Sequence, residues 1–137
     1  MSRASVRSAL AQAFISGAFF SPTAIAWENV AFTPPNGSPW ARFFFVPSQP
    51  AVVTLGTDGA DEITGFVQVD LNYPLGTGDG AAQATYDAMC SVFKAGARFT
   101  HGGETVIIRS CGRSQGREID NCYRVSVTIY FYSQVNR

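Results

Sequence analysis

Cys122-Tyr123-Arg124-Val125-Ser126-Val127-Thr128-Ile129-Tyr130-Phe131-Tyr132 is the stretch from which the rest of the chain can be read. Taken alternately, it sorts into two sets. Tyr123, Val125, Val127, Ile129 and Phe131 share one side, and Arg124, Ser126, Thr128, Tyr130 and Tyr132 share the other. Period-two alternation rich in β-branched and aromatic residues marks a half-buried strand, whereas a helix would scatter the same residues around its circumference. Such a strand needs a sheet beside it and an apolar layer over its first face. Ile63 to Tyr73 supplies a second strand of the same kind. Val67, Val69, Leu71 and Tyr73 lie on one face, and Phe66, Gln68, Asp70 and Asn72 on the other.

Around these two strands the remaining elements fall into order. Ser2 to Ser16 predicts a helix, with Ser2 as its cap, Gly17 as its stop, and Val6, Leu10 and Phe14 along one stripe. Phe19 and Phe20 are expected to dock it onto the sheet. Ile25 to Phe32 and Trp40 to Val46 predict strands joined as a hairpin through the turn cluster Thr33-Pro34-Pro35-Asn36-Gly37-Ser38-Pro39. Ala51 to Leu55 reads as a weaker strand, and Gly56 to Glu62 as a polar loop. Gly80 to Ala95 predicts a second helix, with Ala82, Tyr86, Met89, Cys90 and Phe93 at helical spacing and Gly96 as its cap. Ala97 to Thr100 and Thr105 to Cys111 read as short strands about a His101-Gly102-Gly103-Glu104 turn. Gly112 to Asp120 reads as a loop. The whole, residues 1–137, predicts one α+β domain. Its sheet is mixed but largely antiparallel, with the N-terminal and central helices packed on one face.

The composition narrows the function classes. Hydrophobic residues make up 46% of the chain and charged residues 15%, which is the composition of a packed domain and not of a disordered one. Ten basic side chains balance ten acidic ones, so there is no electrostatic footprint for nucleic acid or an anionic membrane. No apolar run is long enough for a membrane span. Arg3, Arg7, the apolar run from Ala9 to Phe20 and Ala24-Ile25-Ala26 imitate a secretory signal. Gln12, Ser16 and the four-residue repeat of Val6, Leu10 and Phe14 favour an amphipathic helix instead. Cys90, Cys111 and Cys122 form no CxxC pair, and their odd number cannot pair within one chain. Free thiols in a reducing compartment are the reading taken, and a Cys111–Cys122 bridge across a hairpin would require oxidising conditions.

No catalytic, cofactor or metal site is predicted. Gly76-Thr77-Gly78-Asp79-Gly80 stands between a strand and a helix, where a dinucleotide loop would stand, but the third glycine is Ala81 and no Gly-Lys-Ser/Thr follows. Asp79 suits a helix cap better than a phosphate site. His101, with Glu104 nearby, is the only histidine, and a nucleophilic role for Cys111 would need it within hydrogen-bond reach. The composition His-Gly-Gly-Glu is that of a hairpin turn. Tyr130 and Tyr132 could stack on bases, but only Arg124 accompanies them.

Trp27-Glu28-Asn29-Val30-Ala31-Phe32, Pro34-Pro35-Asn36-Gly37-Ser38-Pro39-Trp40-Ala41-Arg42, Gly65-Phe66-Val67-Gln68-Val69-Asp70, Tyr73-Pro74 with Gly76-Thr77-Gly78, and Phe93-Lys94-Ala95-Gly96 together resemble the bacteriophage tail-terminator proteins of the lambda-type tail-completion group. The resemblance spans most of the chain. It implies a non-enzymatic virion tail protein without cofactor, present in the bacterial host cytoplasm before assembly. It implies a self-assembled ring, typically a hexamer, that caps the tail tube, ends its polymerisation and offers a surface to a head-completion protein. The alternative readings are a secreted domain and a small nucleotide-binding protein. Physics nominates the contact residues: acidic Asp58, Asp61 and Glu62 against basic Arg113 and Arg117 on a neighbouring copy, and then the Pro34, Pro35 and Trp40 loop as a rigid apolar contact.

Overall fold

A computed structural model describes residues 3–35, 37–48 and 51–136. Ser2 and Asn36, read from sequence as a helix cap and a turn residue, lie outside the described residues. In chain order the elements are α1 (Arg3–Ser16), a 3-10 turn (Pro22–Ala24), β1 (Ile25–Ala26), β2 (Trp40–Pro47), β3 (Ala51–Val52), β4 (Ala60–Pro74), α2 (Gly80–Val92), β5 (Arg98–His101), β6 (Glu104–Arg113), β7 (Arg117–Ile119) and β8 (Cys122–Asn136). Strands hold 45% of the residues and helices 22%, so the fold is α+β weighted to a curled, mixed sheet.

The two strands with the strongest alternation are the two longest and pair with each other. The β4–β8 ladder is antiparallel and unbroken from Ala60↔Asn136 to Pro74↔Cys122. The sheet order is β1-β2-β4-β8-β6-β5, with β3 added to β4 and β7 to β8. The register puts Val67 opposite Ile129, Val69 opposite Val127 and Leu71 opposite Val125, and all six side chains are buried. Val6, Leu10 and Phe14 of α1 and Ala82, Met89 and Phe93 at α2 join the same cluster. The Phe14 ring lies 5.5 Å from that of Phe43 on β2. Phe19 and Phe20 pack against the cluster as expected.

Gly65 occupies a crowded point on β4. A Cβ there would come within 2.4 Å of the Val46 carbonyl oxygen. Beside it the ring of Phe131, opposite Gly65 on β8, stacks 5.5 Å from that of Phe45, opposite Val67 on β2. Two tight turns supply the remaining antiparallel order. His101 pairs with Glu104 around Gly102 and Gly103, at φ 58° and 84°. Ile119 pairs with Cys122 around Asp120 and Asn121, at φ 52° and 62°. Positive φ at both central residues gives a loop whose twist matches that of the strands, and glycine, Asn and Asp tolerate it best.

Several boundaries differ from the sequence reading. Ile25 to Phe32 and Trp40 to Val46 do not form a hairpin. Only Ile25–Ala26 is strand, and it runs parallel to Ala41 and Arg42. Asn29 at φ 57° and the Val30-to-Trp27 turn carry the chain away, and Pro34 and Pro35 have no N–H to give to a ladder. The loop read over Gly112 to Asp120 is mostly sheet. It holds the end of β6, an irregularity at Ser114 and the strand β7, all beside β8. Helix α2 stops at Val92, three residues short of Ala95. Gly96 does not cap it but donates its N–H to the Ile108 carbonyl of β6.

Val127 is fully buried at the centre of the ladder. Val127→Ala is expected to cost about 1–3 kcal/mol through lost burial and the cavity left behind, measured by denaturant unfolding. An unchanged midpoint would mean that the wrong face had been taken as the core.

Candidate interaction surface

Where β4 ends at Pro74 and β8 begins at Cys122, Pro34, Pro35, Ser38 and Trp40 come up against the Asp120-Asn121 turn. Between them lies a hollow of about 470 Å³ walled by Pro34, Pro35, Trp40, Pro74, Leu75 and Asp120. A second, of about 490 Å³, shares Pro34, Trp40 and Asp120 and continues over Phe44, Asp70 and Arg124 on the sheet face opposite the core. The Trp40 indole forms a wall and is not a protruding anchor. It is 5% exposed, with the Phe32 ring 5.2 Å away and the Arg42 guanidinium 5.5 Å from its centroid.

That second face carries a buried polar array. Asp70 and Ser126, both buried, bond at 2.7 Å, with the Ser126 hydroxyl donating to the Asp70 carboxylate, and the Gln68 amide donates to the same oxygen at 3.0 Å. Asn72 is fully buried. Its Oδ1 accepts from Arg124 Nε at 2.7 Å, and its Nδ2 donates to the Asp70 carbonyl at 3.1 Å. Arg124 in turn reaches Asp120 at 3.8 Å. The register dictates the array, because Asp70↔Ser126 and Asn72↔Arg124 are cross-strand pairs. Buried polar atoms cost stability unless they are paired, and no buried side-chain nitrogen or oxygen lacks a partner among the described residues.

The charges nominated from sequence take the following positions. Asp58 is exposed in the β3–β4 connection, but Asp61 and Glu62 are part of strand β4, not of a loop. Extending the β4–β8 ladder to this point is what draws them in. Glu62 meets Arg109, a residue not singled out from sequence, at 3.7 Å. Arg109 sits at the register shift of β6, with its guanidinium 4.7 Å from the Tyr132 ring centroid. Arg113 ends β6 and faces the Tyr86 ring at 5.7 Å. Arg117 opens β7 and donates to the hydroxyls of Ser114 and Ser126 at 3.3 and 3.4 Å.

The other candidate motifs become turns and packing. The hollow beside Gly76 and Gly78 is flanked by Asp79 and Glu118, whose carboxylates would repel phosphate. Asp79 precedes α2 as expected but makes no side-chain capping bond. His101 and Glu104 are the two ends of a hairpin. Cys111 stands seven residues from Glu104 along β6, roughly 20 Å away, so His101 cannot serve it as a base. Among the described residues no group of His, Cys, Asp and Glu could hold a metal, and no helix is long and apolar enough to cross a membrane. Tyr130 is 48% exposed, with its ring tilted against Phe66 at 5.7 Å. Cys111 and Cys122 cannot bridge. Cys111 pairs with Ile129, seven residues along β8 from Cys122. Tyr73 donates to or accepts from Thr85 at 2.5 Å, and burial pushes its phenol above the ordinary range.

The domain is a small sheet with walled hollows and satisfied buried polar groups. The model of the phage tail terminator protein family matches residues 5–131, so the chain belongs to that family and is a structural component of a phage tail. A solved structure 22% identical in sequence superposes with a TM-score of 0.78, covering 98% of this chain and 97% of that one, and is similar in fold. No curated protein matches.

Arg124→Met would leave the buried Asn72 Oδ1 without its donor. It is expected to cost about 1–3 kcal/mol, read as a lowered denaturation midpoint. Asp120→Asn, which removes the exposed charge but keeps a side chain that tolerates the turn's positive φ, should shift it far less.

Proposed function

We propose that this chain forms a head-to-tail ring, a hexamer on the resemblance to its family, that caps the phage tail tube. The ring ends polymerisation of the tube and presents its far side to a head-completion protein. Subunits wait in the host cytoplasm before assembly. In this reading both helices cover one face of the sheet and leave the other, with its hollows and polar array, for partners. The observation that carries the reading is the family match over residues 5–131.

The charge layout supports a heterologous contact. Asp61 pairs with Val135 near one end of the β4–β8 ladder, whereas Arg117 pairs with Arg124 near the other. At about 3.3 Å per residue Asp61 is roughly 35 Å from Arg117 and roughly 26 Å from Arg113, which pairs with Val127, too far to meet within one chain. A ring needs two different patches that meet between copies and a rotation that closes. In the proposed contact Asp58, Asp61 and Glu62 of one copy face Arg113 and Arg117 of the next, with Pro34, Pro35 and Trp40 as the next candidate surface. The Glu62–Arg109 pair, with side chains 31% and 54% exposed, is too solvated to hold Glu62 back.

Reversing Arg113 and Arg117 to Glu is expected to weaken assembly, scored by analytical ultracentrifugation and by negative-stain images with the tail-tube protein. Adding Asp58→Lys, Asp61→Lys and Glu62→Lys in the same chain should restore it. Arg117 bonds Ser114 and Ser126 within the chain, so circular dichroism must first show each variant folded. An intact assembly in the first folded variant, or no rescue in the second, would remove these charges from the interface.

A further inference from the structure

Cys90 and Cys111 lie far apart in sequence but meet where α2 packs on β6. The register turns Cys111 toward the core, opposite Ile129. The Cys90 thiol lies 3.8 Å from the Cys111 carbonyl oxygen, and Tyr86, one helical turn earlier, donates its hydroxyl to that same carbonyl at 3.4 Å. Both cysteines are half-buried. Cys122 is remote from the pair, at the start of β8. We propose that Cys90 and Cys111 form an oxidation site, a dithiol that a low-molecular-weight disulfide converts into an intrachain disulfide tying α2 to β6.

The chemistry balances with oxidised glutathione as the oxidant. The Cys90 thiolate attacks one glutathione sulfur, breaks that S–S bond and releases one glutathione thiolate. Deprotonated Cys111 then attacks the Cys90 sulfur of the mixed disulfide and expels the second glutathione. The protein loses two electrons and two protons, and one small disulfide becomes two thiols. The order of attack follows from the surroundings. Burial, and then the neighbouring Cys90 thiol, push the Cys111 thiol above the ordinary range, so Cys90 opens the exchange and Cys111 closes it slowly. The reducing glutathione poise of the cytoplasm keeps the pair open, and protonation of Cys111 at neutral pH makes closure slow. A virion component released from a lysed host meets oxidising surroundings, and there a closed bridge fixes a helix to the sheet.

The test uses the full chain, incubated with oxidised glutathione at about pH 8.5, near the ordinary thiol pKa, then alkylated and mapped by non-reducing peptide mass spectrometry. The expected product is a Cys90–Cys111 linked peptide lighter by two hydrogens, with Cys122 separately alkylated. The oxidised protein should melt several degrees higher than the reduced one. That rise should persist in Cys122→Ser and vanish in Cys90→Ser and Cys111→Ser. Should either of the last two fail to fold, the map of the unaltered chain decides alone. A reaction that stops at a glutathione adduct, crosslinks chains through Cys122, or leaves Cys90 and Cys111 both alkylatable overturns the proposal.

Discussion

The pairing of β4 with β8 is the constraint on which the rest of the structure depends. Each strand is 15 residues long, and every residue of one has a partner in the other. Because side chains alternate with period two, a slip of one residue would turn one strand over against the other, bringing either Asp70 and Asn72 or Arg124 and Ser126 to the core face and sending that strand's aliphatic residues to the other. The register is therefore fixed twice, by aliphatic contacts on one face and by hydrogen bonds on the other. The Asp70–Ser126 and Asn72–Arg124 bonds exist only in this alignment. Apolar burial alone would tolerate a variety of packings, and the directional bonds remove the alternatives.

How far this could be read in advance follows from the same pairing. The alternation along β4 and β8 was legible because one buried face writes period two directly into the sequence. So were α1, whose Val6, Leu10 and Phe14 stripe is buried, and the His101 to Glu104 turn, whose glycines announce positive φ. The parallel β1–β2 contact was not legible. Two residues carry no period, and a Pro-rich segment reads equally as a hairpin turn or as a long crossover. The strand β7 was hidden for a related reason. Ser114, Gln115 and Gly116 interrupt the alternation, yet the Ser114 N–H still reaches the Ser126 carbonyl at 2.8 Å and keeps the chain beside β8. At the surface, charge type could be read and charge partnership could not. Nothing local links Glu62 to Arg109, or Tyr86 and Cys90 to Cys111, since each contact is created by tertiary packing.

The polar array also explains why the face opposite the core is not an aggregation hazard. At the end of the ladder near Pro74, that face is closed by bonded Asp70, Asn72, Arg124 and Ser126. Toward the other end it carries Phe66, Tyr130 and Tyr132, with the Arg109 guanidinium laid over the Tyr132 ring. Aromatic rings with polar tips and a stacked cation offer contact area with little rotamer entropy to lose, and they stay compatible with water until a partner arrives.

Sheet edges impose a further condition on any assembly of this chain. An open edge invites another strand and so an unlimited fibre. Beyond the two-residue β1, the exposed side of β2 would offer the Phe45 N–H, but the Glu28 carboxylate accepts it at 2.5 Å, and Pro47 ends the strand without a donor. A carboxylate at that point satisfies the backbone group and places charge and a competing acceptor where an incoming strand would have to lie. On the opposite margin β5 is only four residues long, and α1 packs alongside it. With these margins of the sheet blunted, any contact between copies would fall to side chains and turns, whose geometry can fix an angle. A strand added to an edge simply repeats. Closure of an assembly at a finite number of subunits requires such a fixed angle, and the Glu28–Phe45 bond is the feature of this fold that most directly disfavours the alternative.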